Sequence, residues 1–272
     1  MLRMTSEIPN ILQEIVAHKK TEVAQRKELY PAKLLEKSTF FSSPCVSLKE
    51  YILREDKSGI IAEFKRKSPS KPTINPYANP EEVTIGYMQA GASALSVLTD
   101  EKYFGGSSQD LTTARKFNYC PILRKDFIID EYQITEAKSI GADAVLLIAE
   151  ILTADEIQIF TEKAHELGLE VLCELHSEEQ VEKVTTANVD LIGVNNRDLT
   201  TFNTSIENSI RIKESLPTDK VLISESGIHT TEQLSQLRNA GFHGFLIGEL
   251  FMMEDNPGEA VRRFVDGLRV RG

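Results

Sequence analysis

The chain is 272 residues long, 41% apolar and 26% charged, with 15 glycines and 10 prolines; collagen-like, low-complexity and wholly disordered chains are excluded, and the length suits one large α/β domain. Lysine plus arginine number 31 against 41 aspartates plus glutamates, a formal charge of −10. A broad nucleic-acid surface is thereby excluded, and an anionic ligand must be caught by a local cluster of positive charge.

Residues 1–58 form an N-terminal extension, in which Ile8, Leu12, Ile15, Val16 and Val23 fall on one stripe of a predicted helix over Ile8–Leu29. Residues 59–272 then repeat one cadence of apolar run, polar loop and amphipathic stretch. The runs are Gly59–Lys65, Ala94–Thr99, Pro121–Lys125, Ala144–Ile148, Glu170–Glu174, Leu191–Asn195, Val221–Glu225 and Gly244–Gly248. They are apolar almost throughout, as parallel strands buried on both faces are. Helical patterns lie between them, as at Pro80–Ala90, Glu131–Ile140, Thr153–Leu167 and Thr230–Ala240. Phrases such as Gly141-Ala142-Asp143-Ala144 and Ala240-Gly241-Phe242-His243-Gly244 end a helix on glycine and enter the next strand on a small residue. Thr153, Ser177 and Thr230 occupy N-cap positions, each with Glu or Gln in the turn that follows. Eight such units predict a closed (β/α)8 barrel, a TIM barrel, which typically takes about 250 residues. A dinucleotide-binding sheet would need a glycine-rich loop after Lys65, and none is present. The extension then has two places to go: a plug in the bottom of the barrel, or a cover over its catalytic mouth.

Side chains at the C-terminal strand ends line the mouth of such a barrel, and strand alternation sorts them. On the first run Ile60, Ala62 and Phe64 share an apolar face, so Ile61, Glu63 and Lys65 point inward. The third run delivers Lys125, the fifth Glu174, the sixth Asn195 with Arg197 just beyond, and the seventh Glu225. Burying so many ionisable groups is costly unless they pair or work. The carboxylates are expected to keep the lysines protonated, and Lys65, Lys125 and Arg197 to surround Glu174 and hold it ionised. After the seventh and eighth runs, Ser226, Gly227 and Gly248 suit a phosphate cradle, with the Glu249 side chain expected to turn away while its N–H donates. Lys65-Arg66-Lys67, followed by Ser68, Ser70 and Lys71, supplies local positive charge.

No metal set is expected. His18, His165, His176, His229 and His243 lack ligand spacing, and alternation points Cys173 away from Glu174 and His176. The longest apolar stretch, Ala144 to Ala149, is far short of the roughly 20 residues of a membrane span. No signal peptide is visible. With Cys45, Cys120 and Cys173 widely spaced and in no C-x-x-C pair, the expectation is a cytoplasmic protein with reduced thiols.

At these residues the chain resembles the indole-3-glycerol phosphate synthase family. The likeness rests on Ile61-Ala62-Glu63-Phe64-Lys65-Arg66-Lys67-Ser68-Pro69-Ser70-Lys71, Leu98-Thr99-Asp100 through Tyr103-Phe104-Gly105-Gly106-Ser107, and Leu123-Arg124-Lys125-Asp126-Phe127. It continues through Glu174 with His176, Gly193-Val194-Asn195-Asn196-Arg197-Asp198-Leu199, Glu225-Ser226-Gly227-Ile228 and Leu246-Ile247-Gly248. Pro72 departs from the family, which usually has glycine there, and removes an N–H from the loop. The resemblance implies a cofactor-free, ring-closing decarboxylation and dehydration of 1-(2-carboxyphenylamino)-1-deoxyribulose 5-phosphate in tryptophan biosynthesis. It also implies Lys125 as acid, Glu174 as base, and Glu63 and Lys65 as assisting groups. Ser68, Asn195, Arg197 and Glu225 would position the substrate; Ser226, Gly227, Gly248 and Glu249 would hold its phosphate. Weak association with other enzymes of the pathway is a further implication. Two rival readings are another phosphate-binding barrel enzyme (phosphoribosylanthranilate isomerase or a Schiff-base aldolase) and a catalytically silent barrel subunit.

Overall fold

Eight parallel strands close into a barrel in chain order, and the last pairs back onto the first. They are β1 (Ile60–Phe64), β2 (Ala94–Leu98), β3 (Ile122–Lys125), β4 (Ala144–Ile148), β5 (Glu170–Leu175), β6 (Leu191–Asn195), β7 (Val221–Glu225) and β8 (Gly244–Ile247). The computed structural model describes residues 10–198 and 203–269; Ile8 of the expected helix and Leu199 of the sixth-strand motif lie outside them. Helices α1 (Asn10–Leu29), α2 (Ala32–Leu35) and α3 (Leu48–Leu53) precede the barrel. Around it run α4 (Pro80–Gln89), α5 (Glu101–Phe104), α6 (Ser108–Phe117), α7 (Glu131–Ile140), α8 (Ala154–Glu166), α9 (Val181–Thr185), α10 (Glu207–Lys213), α11 (Thr231–Asn239), α12 (Glu249–Met252) and α13 (Pro257–Arg269).

Alternation along β1 sorts its side chains as expected. Ile60, Ala62 and Phe64 join the shell between strands and helices, while Ile61 packs inside the barrel with Ala94, Leu123, Ala144, Leu172 and Leu191. The repeated glycine phrase has a structural reason: Gly91, Gly141 and Gly241 take left-handed φ of 98°, 96° and 99° where their helices stop. Thr153 and Thr230 form capping boxes with Glu156 and Gln233. Ser177 differs. It precedes a short 3-10 turn without capping it, and Gln180 of that turn accepts the His176 N–H (2.7 Å).

The extension occupies both of its candidate places. Ile11, Leu12 and Ile15 of α1 line the cleft at the C-terminal end of the barrel, so α1 covers the mouth. Leu48 and Ile52 of α3 are buried in the interior core at the opposite end. There the Val46 N–H donates to Asp143 and the Lys49 N–H to Glu170, residues at the N-terminal entries of β4 and β5 (2.8 and 2.9 Å). The apolar stripe of α1 also carries Lys19, which is fully buried and ion-paired to Asp100 and Asp126 (2.9 and 3.0 Å). That lysine latches the cover onto the ends of β2 and β3.

Candidate active site

The strand ends converge on a cleft of about 320 Å³. Lys125, the last residue of β3, donates from Nζ to Glu174 Oε2 on β5 (2.8 Å) and to Glu225 Oε2 on β7 (2.6 Å). Glu225 has room because β6 has Gly193 beside it: a Cβ there would stand 2.1 Å from Glu225 Oε1. At the end of β1, Nζ of Lys65, the residue that follows the strand, lies 2.8 Å from Glu63 Oε1. Asn195 Nδ2 donates to Glu174 Oε1 (3.1 Å), and its Oδ1 accepts from the Arg197 N–H (2.9 Å).

Burial alone would lower the Lys125 pKa, but Glu174, Glu225 and Glu63 more than reverse that and hold it as an ammonium. Burial also opposes ionisation of both partner carboxyls, and they resolve it differently. Glu174, beside Lys125 and His176 and bonded to Asn195, is pulled below the ordinary carboxylate range. Glu225 is pushed above it by burial, and the attraction of Lys125 is offset by the charge of Glu174. Two carboxyls thus share one ammonium, and of the two Glu225 takes up a proton more readily. Of the three cations expected around Glu174, Lys125 takes that place. Lys65 turns to Glu63, and Arg197 reaches Ser70 (3.1 Å) and Glu249 (3.6 Å) at the rim.

The basic run after β1 is not the open patch it resembles in sequence. Arg66 grips Asp110 with both terminal nitrogens (2.7 and 2.9 Å), and Lys67 donates to the Lys102 carbonyl (2.7 Å). Both serve the loop, leaving Lys65 to the cleft. Ser68 lines the cleft and closes a tight turn before Pro72 through paired backbone bonds with Lys71. The loops after β7 and β8 border the same cleft. Ser226 and Gly227 both take left-handed φ, 68° and 70°, a conformation costly for serine. Asn196 helps to hold it by donating to the Ser226 carbonyl (3.0 Å) while accepting the Ser209 N–H (3.0 Å). Gly248 opens α12, a helix of four residues. The Glu249 carboxylate does not simply turn away: it lies 3.4 Å from Lys71 and 3.6 Å from Arg197 across the rim.

Sequence reasoning missed the supporting roles of Asn196 and Lys19. Asn196 gave no signal, because its partners come from segments far along the chain. Lys19 did: it stands four residues after Ile15 and four before Val23, a charge on a buried stripe.

A parallel (β/α)8 barrel with an ammonium between two buried carboxyls at the C-terminal strand ends defines an acid–base barrel enzyme. The family model described as indole-3-glycerol phosphate synthase matches residues 12–264. The chain is 51% identical over 260 residues to an indole-3-glycerol phosphate synthase of Bacteroides thetaiotaomicron, covering 96% of this chain and 99% of that protein. It is 45% identical over 258 residues to one of Carboxydothermus hydrogenoformans, covering 92% and 97%. A solved thiamine phosphate pyrophosphorylase from Pyrococcus furiosus shares the barrel (TM-score 0.59, 15% identity, 82% of this chain and 98% of that one), a likeness of fold alone. The chain belongs to the indole-3-glycerol phosphate synthase family.

Proposed function

We propose that this protein converts 1-(2-carboxyphenylamino)-1-deoxyribulose 5-phosphate to indole-3-glycerol phosphate, CO₂ and water, as its family membership indicates. The observation that carries the residue assignments is the Lys125 ammonium held between Glu174 and Glu225 at the cleft. As the aromatic carbon attacks the ketone, negative charge develops on the ketone oxygen, and a cationic donor placed there lowers the barrier. Lys125 is that acid. CO₂ then leaves from the electron-deficient ring system. Dehydration needs a base that is ionised at neutral pH, and the depressed Glu174 supplies it. Glu63 and Lys65 assist these steps. Ser68, Asn195, Arg197 and Glu225 position the substrate, while backbone N–H groups around Ser226, Gly227, Gly248 and Glu249 receive its phosphate.

A Schiff-base aldolase would need a neutral lysine as nucleophile, which the carboxylates around Lys125 oppose. Residues 1–58 and 59–272 act as one unit, since α1 and α3 close the two ends of the barrel. The free thiols of Cys45, Cys120 and Cys173 favour a reducing compartment, the cytoplasm. There weak association with other enzymes of the tryptophan pathway would limit loss of intermediates. The test is to incubate the purified protein with the synthetic substrate and follow the indole product by absorbance and fluorescence. Product formation is expected; its absence at saturating substrate overturns the reading.

A further inference from the structure

The proposed reaction does not balance its protons inside the site. The carboxylate leaves as CO₂ and carries no proton away. The ketone oxygen gains one proton on ring closure and another as it departs as water, whereas only one comes off the substrate as the indole forms. Each turnover therefore draws one proton from solvent. Glu174 can return the proton it takes to Lys125, since Nζ and Oε2 are 2.8 Å apart. The other must enter a site roofed by α1.

His176 stands beside that acid–base pair. It follows β5 directly, lines the cleft, and its side chain is 11% exposed. Nε2 lies 3.3 Å from Glu174 Oε1 without hydrogen-bond alignment, and both ring nitrogens are buried with no hydrogen-bond partner among the described residues. Unpaired buried polar groups are costly and uncommon. The loop fixes the backbone: the His176 N–H donates to Gln180 Oε1 (2.7 Å) and its carbonyl accepts from Asn208 Nδ2 (3.3 Å). Gln180 donates in turn to half-buried Glu150. Glu174, Glu150, Lys125 and Asp198 are the charges that face the ring, and burial draws its pKa below the ordinary histidine value. A neutral imidazole has one nitrogen ready to accept a proton and another carrying one.

We infer that His176 is the proton inlet of the site. The ring nitrogen turned away from Glu174, buried at rest, takes a proton from a water that reaches it through the cleft. The nitrogen facing Glu174 then releases its own proton to the carboxylate, which passes it to the Lys125 amine left neutral by catalysis. The ring recovers its tautomer by exchange with solvent between turnovers. This deepens the functional reading above and rests on it.

The experiment compares wild type, His176→Ala and His176→Asn in the product-formation assay, in H₂O and D₂O, with circular dichroism to verify folding. Loss of a proton-transfer group is expected to lower kcat by about tenfold to a hundredfold, toward the low end of general acid–base contributions. KM should stay within about twofold, because binding is not the function removed. The solvent isotope effect on kcat should rise, and added imidazole should restore part of the His176→Ala rate. If His176→Ala does not fold, His176→Asn carries the kcat, KM and isotope readouts. An unchanged kcat overturns the inlet, as does a lowered kcat with a wild-type isotope effect. An inactive wild type would overturn the functional reading and the inlet with it; an active wild type with unaffected variants overturns the inlet alone.

Discussion

Two clusters of buried charge meet at the end of β3, and consecutive residues divide between them. Arg124 and Asp126 enter one: Asp126 contacts Lys19 (3.0 Å) and Arg124 (3.0 Å), and Arg124 continues to Glu136 (2.6 Å). Lys125, between them in sequence, enters the other with Glu174 and Glu225. In the first cluster each charge faces an opposite one, and Thr99 and the Phe127 N–H complete the Asp126 carboxylate (2.6 and 2.8 Å). Among the described residues, Glu225 Oε1 and both nitrogens of neighbouring His176 in the second have no hydrogen-bond partner and belong to side chains that line the cleft, whereas Asp100 Oδ2 in the first, likewise without one, has the Lys19 ammonium 2.9 Å away and lies outside the cleft. Burial and charge alone therefore do not separate a structural network from a reactive one. Open valence facing a cleft does.

The largest effect should come from the centre of the reactive cluster. Lys125→Met removes the proposed acid while keeping an apolar stem of similar length, so turnover should fall by about 10³–10⁴-fold, within the range for general acid catalysis. Circular dichroism should match wild type. Retention of more than about a tenth of turnover would remove Lys125 from the role of acid, since even weak general acid catalysis exceeds that.

The two carboxyls that share Lys125 should then behave unequally. Glu174 is the ionised one, so Glu174→Gln should lower kcat by about 10²–10³-fold with little change in KM. Single-turnover mass analysis should find an intermediate that has lost CO₂ but not water. Burial pushes the Glu225 pKa up, towards the neutral form that an amide imitates, so Glu225→Gln should keep kcat within about tenfold of wild type. If Glu174→Gln raised KM alone, Glu174 would be a binding residue and the base would be sought at Glu63.

How far the sequence reaches follows the same division. The barrel was legible because eight apolar runs and their glycine stops are local patterns, and inward residues such as Glu63, Lys65, Lys125 and Glu174 follow from alternation. The partners were not. Alternation turns Lys65 to the cleft, but nothing local says that Arg66 is spent on Asp110. Nor does a helical stripe tell which barrel end α1 closes; Lys19 decides that by its contact with Asp100 and Asp126 across more than a helix-length of chain.

The structural cluster gives the next effect, in stability. Lys19→Met leaves Asp100 and Asp126 buried without their cation, and breaking a buried pair from one side costs about 3 kcal/mol or more. Burial by itself would raise the Asp126 pKa, but Lys19 and Arg124 hold it well below the ordinary carboxylate range. A carboxylate depressed in the folded state stabilises above its unfolded pKa of about 3.9 and loses that contribution as pH falls toward the folded value. The wild-type advantage should thus be full near neutral pH and shrink in acid, where the variant can protonate the stranded carboxylate. Urea unfolding at about pH 7 and about pH 3.5 checks the sign. A deficit that is constant or grows in acid would show that Lys19 stabilises by packing its stem and not by its charge.

The smallest effect concerns the proposed phosphate end, where the groups are mostly backbone and neither cluster contributes a cation directly. Inorganic phosphate should compete with substrate there despite the net charge of −10, because oriented N–H groups act locally and distant surface carboxylates are screened within about 10 Å at ordinary salt. Gly227 sets the shape of that loop. At a φ of 70° an alanine is strained, and its Cβ would stand 2.9 Å from Thr204 Cβ. The loop must shift, moving its N–H groups off the anion while Lys125 and Glu174 stay in place on their strands. Gly227→Ala should therefore weaken phosphate inhibition and raise KM by about tenfold, equivalent to about 1.4 kcal/mol, with kcat changed far less. A fall in kcat without a rise in KM would instead mean that the loop after β7 acts on the reacting end of the substrate. Inhibition by phosphate that is not competitive with substrate would place the anion elsewhere on the molecule.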